Sequence, residues 1–167
     1  MYYDDQVIGD DDLEKFKLYF DTDNVSDYFS IIGTSGYYAE KIFLYLLENV
    51  DINTPIDVKY CGIPTITHIV DLFVYNGRDD YLKLIRDYYK KDINIDIVEL
   101  CKNNCPNNDI LEILVDIFLT DPYTLIDKYY ELKQIINCYY TDYEEESLYK
   151  IFRYKYLDLK YKDDKPF

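Results

Sequence analysis

One histidine, four cysteines and two runs of carboxylates are the residues in this 167-residue chain whose side chains could carry chemistry. His68 is the only imidazole, so any general acid–base mechanism near neutral pH must pass through it. Nothing at nearby spacing supplies the nucleophile or carboxylate of a recognised catalytic motif. Cys61, His68, Cys101 and Cys105 are donors that zinc accepts, but C-x₃-C is not the tight zinc knuckle, and Cys61 precedes Cys101 by forty residues. Cysteine as a small buried hydrophobe is the reading instead, and four scattered thiols (Cys138 is the fourth) suit a reducing compartment better than a disulfide scaffold. "GTSG" at Gly33–Gly36 lacks the lysine and the longer glycine spacing of a phosphate loop and is expected to be an inter-helix turn. "DDQVIGDDD" and "YEEES" lack the alternating ligand positions of a calcium loop; both are expected as solvated acids near helix N-termini. The expectation is a protein without metal, cofactor or catalytic activity.

The elements that must position these residues are helical in pattern. Apolar residues recur every three or four positions: Leu13, Phe16 and Phe20; Phe43, Leu44, Leu46 and Leu47; Tyr81, Leu84, Ile85 and Tyr88; Ile110, Ile113, Leu114, Ile117 and Phe118. Asp121 followed by Pro122 predicts a helix start, and a last helix is predicted through "YEEESLYKIFRYKYLDL". Shorter helices are predicted around Ser26–Gly33, Pro64–Gly77 and Asp96–Asn103, each breaking off at glycine or an asparagine cluster.

Composition sets the class. The chain is 49% apolar and 31% charged, which is globular rather than disordered. Twenty-two tyrosines and eight phenylalanines, with no tryptophan, put many phenol groups at the surface or on a partner. Tyr-Tyr pairs at 2–3, 37–38, 88–89, 129–130 and 139–140 are each expected to turn one ring inward and one outward on a helix, the outward ring being a good contact residue. The opening residues are acidic where a secretory leader is basic and then apolar, and the longest uncharged run, Tyr28–Ala39, is twelve residues. A cytoplasmic, non-membrane protein is expected. A net charge of −15 argues against non-specific nucleic-acid binding. The charge is uneven: residues 1–27 hold nine acids against two lysines, whereas residues 148–167 hold six bases against three acids.

One phrase occurs twice. "AEKIFLYLLENVDIN" at Ala39–Asn53 and "DYLKLIRDYYKKDIN" at Asp80–Asn94 superimpose at an offset of 41 residues, as do Gly36 and Gly77. At that offset Phe43 matches Leu84, Leu47 matches Tyr88, and the closing Asp-Ile-Asn matches itself. Recurrence of this kind marks a supersecondary unit used more than once, each copy burying its apolar face on the next.

The repeated unit resembles a degenerate ankyrin repeat. "IFLYLLEN" is similar to the family's second helix, "VDIN" and "KDIN" to its closing phrase without the glycine, and Gly36 and Gly77 to its inter-helix glycine. "CGIPTITHIV" resembles the opening phrase in scrambled order through Gly62, Pro64, Thr65 and His68. The spacing exceeds the family's usual length, and the extra residues are expected in the connector "TPIDVKY" and the helix after it. The resemblance implies that His68 caps and bridges neighbouring turns. Divergent repeats in chains rich in Tyr, Ile and Asn resemble those of large DNA viruses, whose ankyrin-like proteins bind host factors; host cytoplasm would then be the compartment.

The expected architecture is therefore all-α, stacked helical pairs in a single domain of residues 1–167. It comprises an acidic N-terminal half-unit (1–25), repeat units (26–120), a C-terminal helical cap (121–160) and a tail (161–167). The expected function is non-catalytic binding of a partner protein, inhibiting or sequestering it. Asp57, Lys59, Tyr60, Tyr75, Arg78 and Asp96 are expected to supply the polar rim and aromatic anchors. Two alternatives differ in kind: an acidic inhibitor of a basic enzyme, resembling immunity or nucleic-acid-mimic proteins, and a small enzyme using His68. A homodimer through the C-terminal helices is a further expectation.

Overall fold

The computed structural model describes residues 2–60, 62–139 and 142–162. It is of the all-α class: ten α-helices and one two-stranded sheet among the described residues. The chain divides into two compact units, Met1–Asn94 and Ile95–Phe167, the division falling inside the region predicted as repeats.

The first unit begins with α1 (Tyr2–Gly9) and α2 (Leu13–Tyr19), then a 3₁₀ turn at Thr22–Asn24 and α3 (Val25–Thr34). After α4 (Glu40–Asn49) come strands β1 (Ile56–Tyr60) and β2 (Ile63–Thr67), then α5 (Ile69–Tyr75) and α6 (Asp79–Tyr88). Alternate helices pack on one another: α1 on α3 and α3 on α5, α2 on α4 and α4 on α6. The centre is aromatic. Phe29, Phe43, Phe73 and Tyr81 meet in tilted or edge-on pairs with centroids 4.7–6.4 Å apart. All four are essentially fully buried, at about 1.5–3 kcal/mol of transfer free energy each. Gly33 lets α3 approach α5, because a Cβ there would lie 2.8 Å from a Leu72 methyl. The first glycine of "GTSG" is thus a packing contact and the second lies in the α3–α4 turn.

The hairpin departs from the predicted helix at Pro64–Gly77. Helix begins only at Ile69, and Ile63–Thr67 is strand. The physical reason is a β-branched run: Ile56, Val58, Ile63, Thr65, Ile66 and Thr67 favour a pleated surface, and Gly62 supplies the turn at φ +82°. Ile56 and Val58 point inward against α3 while Asp57 and Lys59 point out. The hairpin takes up the connector "TPIDVKY" from Ile56 on and the first residues of the predicted helix.

The repeated phrase forms a ten-residue helix twice, in a different register, and its closing Asp-Ile-Asn is a hydrogen-bonded turn only in the first copy. Helices α4 and α6 are ten residues each, and their N-caps, Ala39 and Arg78, are 39 residues apart. Their C-caps correspond at the same offset, Val50 N–H donating to Leu46 and Tyr89 N–H to Ile85. Gly36 and Gly77 keep the 41-residue offset between helices, but the helix slides by two residues, about half a turn. The buried stripe of α4 is therefore Ile42, Phe43, Leu46 and Leu47, that of α6 is Tyr81, Leu82, Leu84 and Ile85, and the predicted inward Tyr88 is 59% exposed. Of the tyrosine pairs, 88–89 and 129–130 place one ring outward and the other further in, whereas Tyr37 and Tyr38 sit in a turn and are both exposed. The side chains of 2–3 and 139–140 lie outside the described residues.

The second unit contains α7 (Ile97–Asn104), α8 (Asn108–Phe118), α9 (Pro122–Tyr139) and α10 (Asp142–Lys160). Here α7 packs on α8 and α9, and α10 on α8 and α9. Asp121 caps α9 as the sequence indicates, accepting from Tyr123 and Thr124 N–H at 3.0 Å, whereas α8 is capped by Asn107, which accepts from Ile110 N–H at 2.9 Å and stands one residue before the Asn108-Asp109 pair that opens the helix. The acids of "YEEES" fall in the first turns of α10. Among the described residues no helix is long and apolar enough to cross a membrane.

Candidate protein-binding surface

A candidate contact surface in the first unit is the outer face of the β1–β2 hairpin. Cross-strand partners share a face, so the pairs Asp57↔Ile66 and Lys59↔Pro64 present two charges, an isoleucine and a proline to solvent. Ile66 is 72% exposed, and Ile63, near the turn, 67%. Asp57 N–H turns away from β2 to Ser26 Oγ at 3.0 Å, which pins β1 to α3. Its pair is therefore a non-hydrogen-bonded one, and the alternation places Pro64 in the same class, where a missing N–H costs the ladder nothing. The hairpin base is tied by Thr67 Oγ1 donating to Asp71 at 2.7 Å.

His68 sits immediately after β2 as the N-cap of α5. Its Nδ1 accepts from Val70 N–H at 3.1 Å, which leaves Nε2 to donate toward Asn53 Oδ1 at 3.3 Å. Burial pushes the imidazole below its ordinary value, against the opposing pull of Asp71 and Asp51, so the neutral ring is favoured. Asn53 in turn joins the two copies of the repeated phrase. Its Oδ1 accepts from Asn94 N–H at 2.6 Å and its Nδ2 donates to Asp92 carbonyl at 2.9 Å. With both ring nitrogens engaged, His68 holds two turns together and has no lone pair directed at a substrate.

The six residues expected to bind a partner separate. Asp57, Lys59 and Tyr60 lie on one strand, with Asp57 and Lys59 exposed on its outer face; the side chain of Tyr60 lies outside the described residues. Tyr75 is 53% exposed at the end of α5. Arg78 is engaged internally: its guanidinium donates to the carbonyls of Ile32, Ser35 and Tyr37 and to Asp80, and lies 4.5 Å from the Tyr81 ring centroid. Its side chain is 14% exposed. Asp96 belongs to the second unit, where it caps α7 through Val98 N–H and pairs with Lys128 at 3.0 Å.

Beside Arg78, the Tyr81 hydroxyl accepts from Ala39 N–H at 2.8 Å and donates to Tyr37 carbonyl at 3.1 Å. Helix α4 has no cap of its own; Asp11, from the α1–α2 turn, accepts from Lys41 and Ile42 N–H at 3.1 and 3.0 Å. Asp12 and Asp21 cap their own elements, so part of the N-terminal acid excess serves helix ends.

No family model, curated protein or solved structure matches the chain. Function must therefore be argued from the site. Among the described residues no three His, Cys, Asp or Glu side chains converge as a metal site. Cys61 lies outside the described residues, Cys101 is buried with its thiol pushed up to about 12 by that burial, and Cys105 is exposed. Sequence reasoning missed Ile63, Pro64 and Ile66 as surface residues. The signal was present in the alternation across Ile56–Tyr60 and the β-branched run beyond Gly62.

Proposed function

We propose that the chain is a non-catalytic, ankyrin-like helical-repeat module that binds a partner protein through the outer face of its hairpin and inhibits or sequesters it. One observation carries this reading: an anchored hairpin whose outward face sets the exposed Ile66 beside Asp57 and Lys59. An exposed apolar residue flanked by opposite charges is the composition of a small contact patch. The alternate packing of α1, α3 and α5 and of α2, α4 and α6 supports stacking of pairs, as does the Asn53 link between the two Asp-Ile-Asn phrases.

The test is affinity capture from a panel of cell lysates with wild type, Ile66→Asp and a variant carrying Asp5→Asn and Asp10→Asn. A protein retained by wild type and the acid-depleted variant but lost with Ile66→Asp is the expected result. A captured protein indifferent to Ile66→Asp, lost on acid depletion and released by moderate salt would replace this reading with the acidic-inhibitor one.

A further inference from the structure

The last helical pair presents an outer surface that its own unit does not cover. Helix α9 packs inward on α7 and α10 on α8, and between their outer flanks runs a groove of about 280 Å³. Ile126, Tyr129, Tyr130, Tyr149, Phe152 and Tyr156 line it. Tyr130 is 61% exposed and Tyr149 49%, and Tyr123, one turn before Ile126, is 83% exposed. The terminal layer of a helical stack is ordinarily polar on its outer side, because nothing follows to bury it.

Two charges accompany this groove. Arg153 lines it from α10, and Asp127 is exposed on α9 next to Ile126. Neither forms an ion pair with any of the described residues, although neighbouring Lys128 and Lys150 both do. An unpaired cation on one helix and an unpaired anion on the other, flanking one apolar seam, is the arrangement that a two-fold contact uses: residue i of one copy meets residue j of the other, and the same pair recurs across the axis. A foreign helix would need to supply both opposite charges at matching positions, whereas a second copy supplies them by symmetry.

We propose that this face is a homodimer surface, α9 and α10 of one copy packing against α10 and α9 of another as a four-helix arrangement, with Asp127 of each copy facing Arg153 of its mate. Apolar and tyrosine burial provides the attraction and the ion pairs set the register. The residues of this surface belong to the second unit and those of the hairpin face to the first, so a substitution in one set leaves the other set unchanged.

Sedimentation velocity on the full chain, from low to high micromolar concentration, tests this directly. A concentration-dependent monomer–dimer equilibrium that persists as salt is raised from about 0.1 to about 1 M is expected, because the seam is apolar and screening relieves the repulsion between two chains of net charge −15. Arg153→Asp and Asp127→Arg should each weaken the dimer about tenfold, and the double variant should restore it to near wild type. Tyr123→Ser, at a position too exposed to affect folding, should weaken it as well. A monomer at every concentration overturns the proposal, as does a dimer indifferent to these substitutions. A double variant no tighter than the singles overturns the two-fold register.

Discussion

The two units of this protein are held in shape by different kinds of bond. In the first, side chains reach across many residues to backbone groups: Asp11 to the start of α4, Arg78 to three carbonyls of the α3–α4 turn, Tyr81 to Ala39 and Tyr37, Asn53 to Asp92 and Asn94. In the second, the described side-chain contacts between helices are an apolar core with two ion pairs at its margin, Asp96 with Lys128 and Asp116 with Lys155. Polar ties to backbone fix the geometry of turns, since a misplaced turn leaves a buried group without its partner. Apolar packing holds helices together but specifies less about what projects beyond them. The lesson is that the first unit's turns are each fixed by a side chain from far along the chain, whereas the second unit's helices are fixed mainly by their packed faces.

Denaturant unfolding of single variants can break or sharpen that contrast. The largest effect is expected for Arg78→Ala, which strands three carbonyls around a mostly buried site; a loss of about 3 kcal/mol is expected in the transition of the first unit, with Arg78→Lys recovering less than half. Tyr81→Phe removes one hydroxyl that both accepts and donates, and should cost about 1–2 kcal/mol, again without moving the second unit. His68→Ala loses the α5 cap and the Asn53 link, for about 1 kcal/mol, while His68→Asn should recover much of it.

His68 also makes a pH prediction. The folded ring protonates at lower pH than the free one, so the unfolded chain takes up the proton first as pH falls below the ordinary 6.5. The contribution of His68 is complete above that value and is lost as pH falls through the lowered folded value. Stability measured against pH should show this slope in wild type and lose it in His68→Asn. In the second unit Asp116→Asn should cost less than about 1 kcal/mol, because a marginal ion pair is worth little. If Asp116→Asn cost as much as Arg78→Ala, the distinction between the units would fall. The smallest effect is expected at Cys105, held at φ 48° as the C-cap of α7; Cys105→Gly should raise stability by about 0.5 kcal/mol.

How much of this was legible before the coordinates depended on whether a signal was local. Asp121-Pro122 gave a helix start because capping is settled within four residues. The 41-residue offset located the connections, where Gly36, Gly77 and the two Asp-Ile-Asn phrases sit, but misplaced the helix between them by half a turn. Glycine and turn phrases anchor only the ends; the helix chooses its stripe by what it packs on, and α6 turns Tyr81 inward to reach Ala39 and Tyr37. The hairpin was obscured because Pro64 is equally at home in the first turn of a helix and on an outer strand. Arg78 looked like a surface cation since nothing within several residues of it announces the carbonyls of Ile32, Ser35 and Tyr37, more than forty positions away.

Pro64 has a consequence for how anything can dock here. An extended peptide sliding alongside β2 to lengthen the sheet would meet a missing donor at the second of five residues, and a continuous ladder could not form. The partner proposed above would have to approach broadside, onto Ile66 and its charged neighbours. The same gap keeps a chain rich in isoleucine and tyrosine from templating fibrils through this margin.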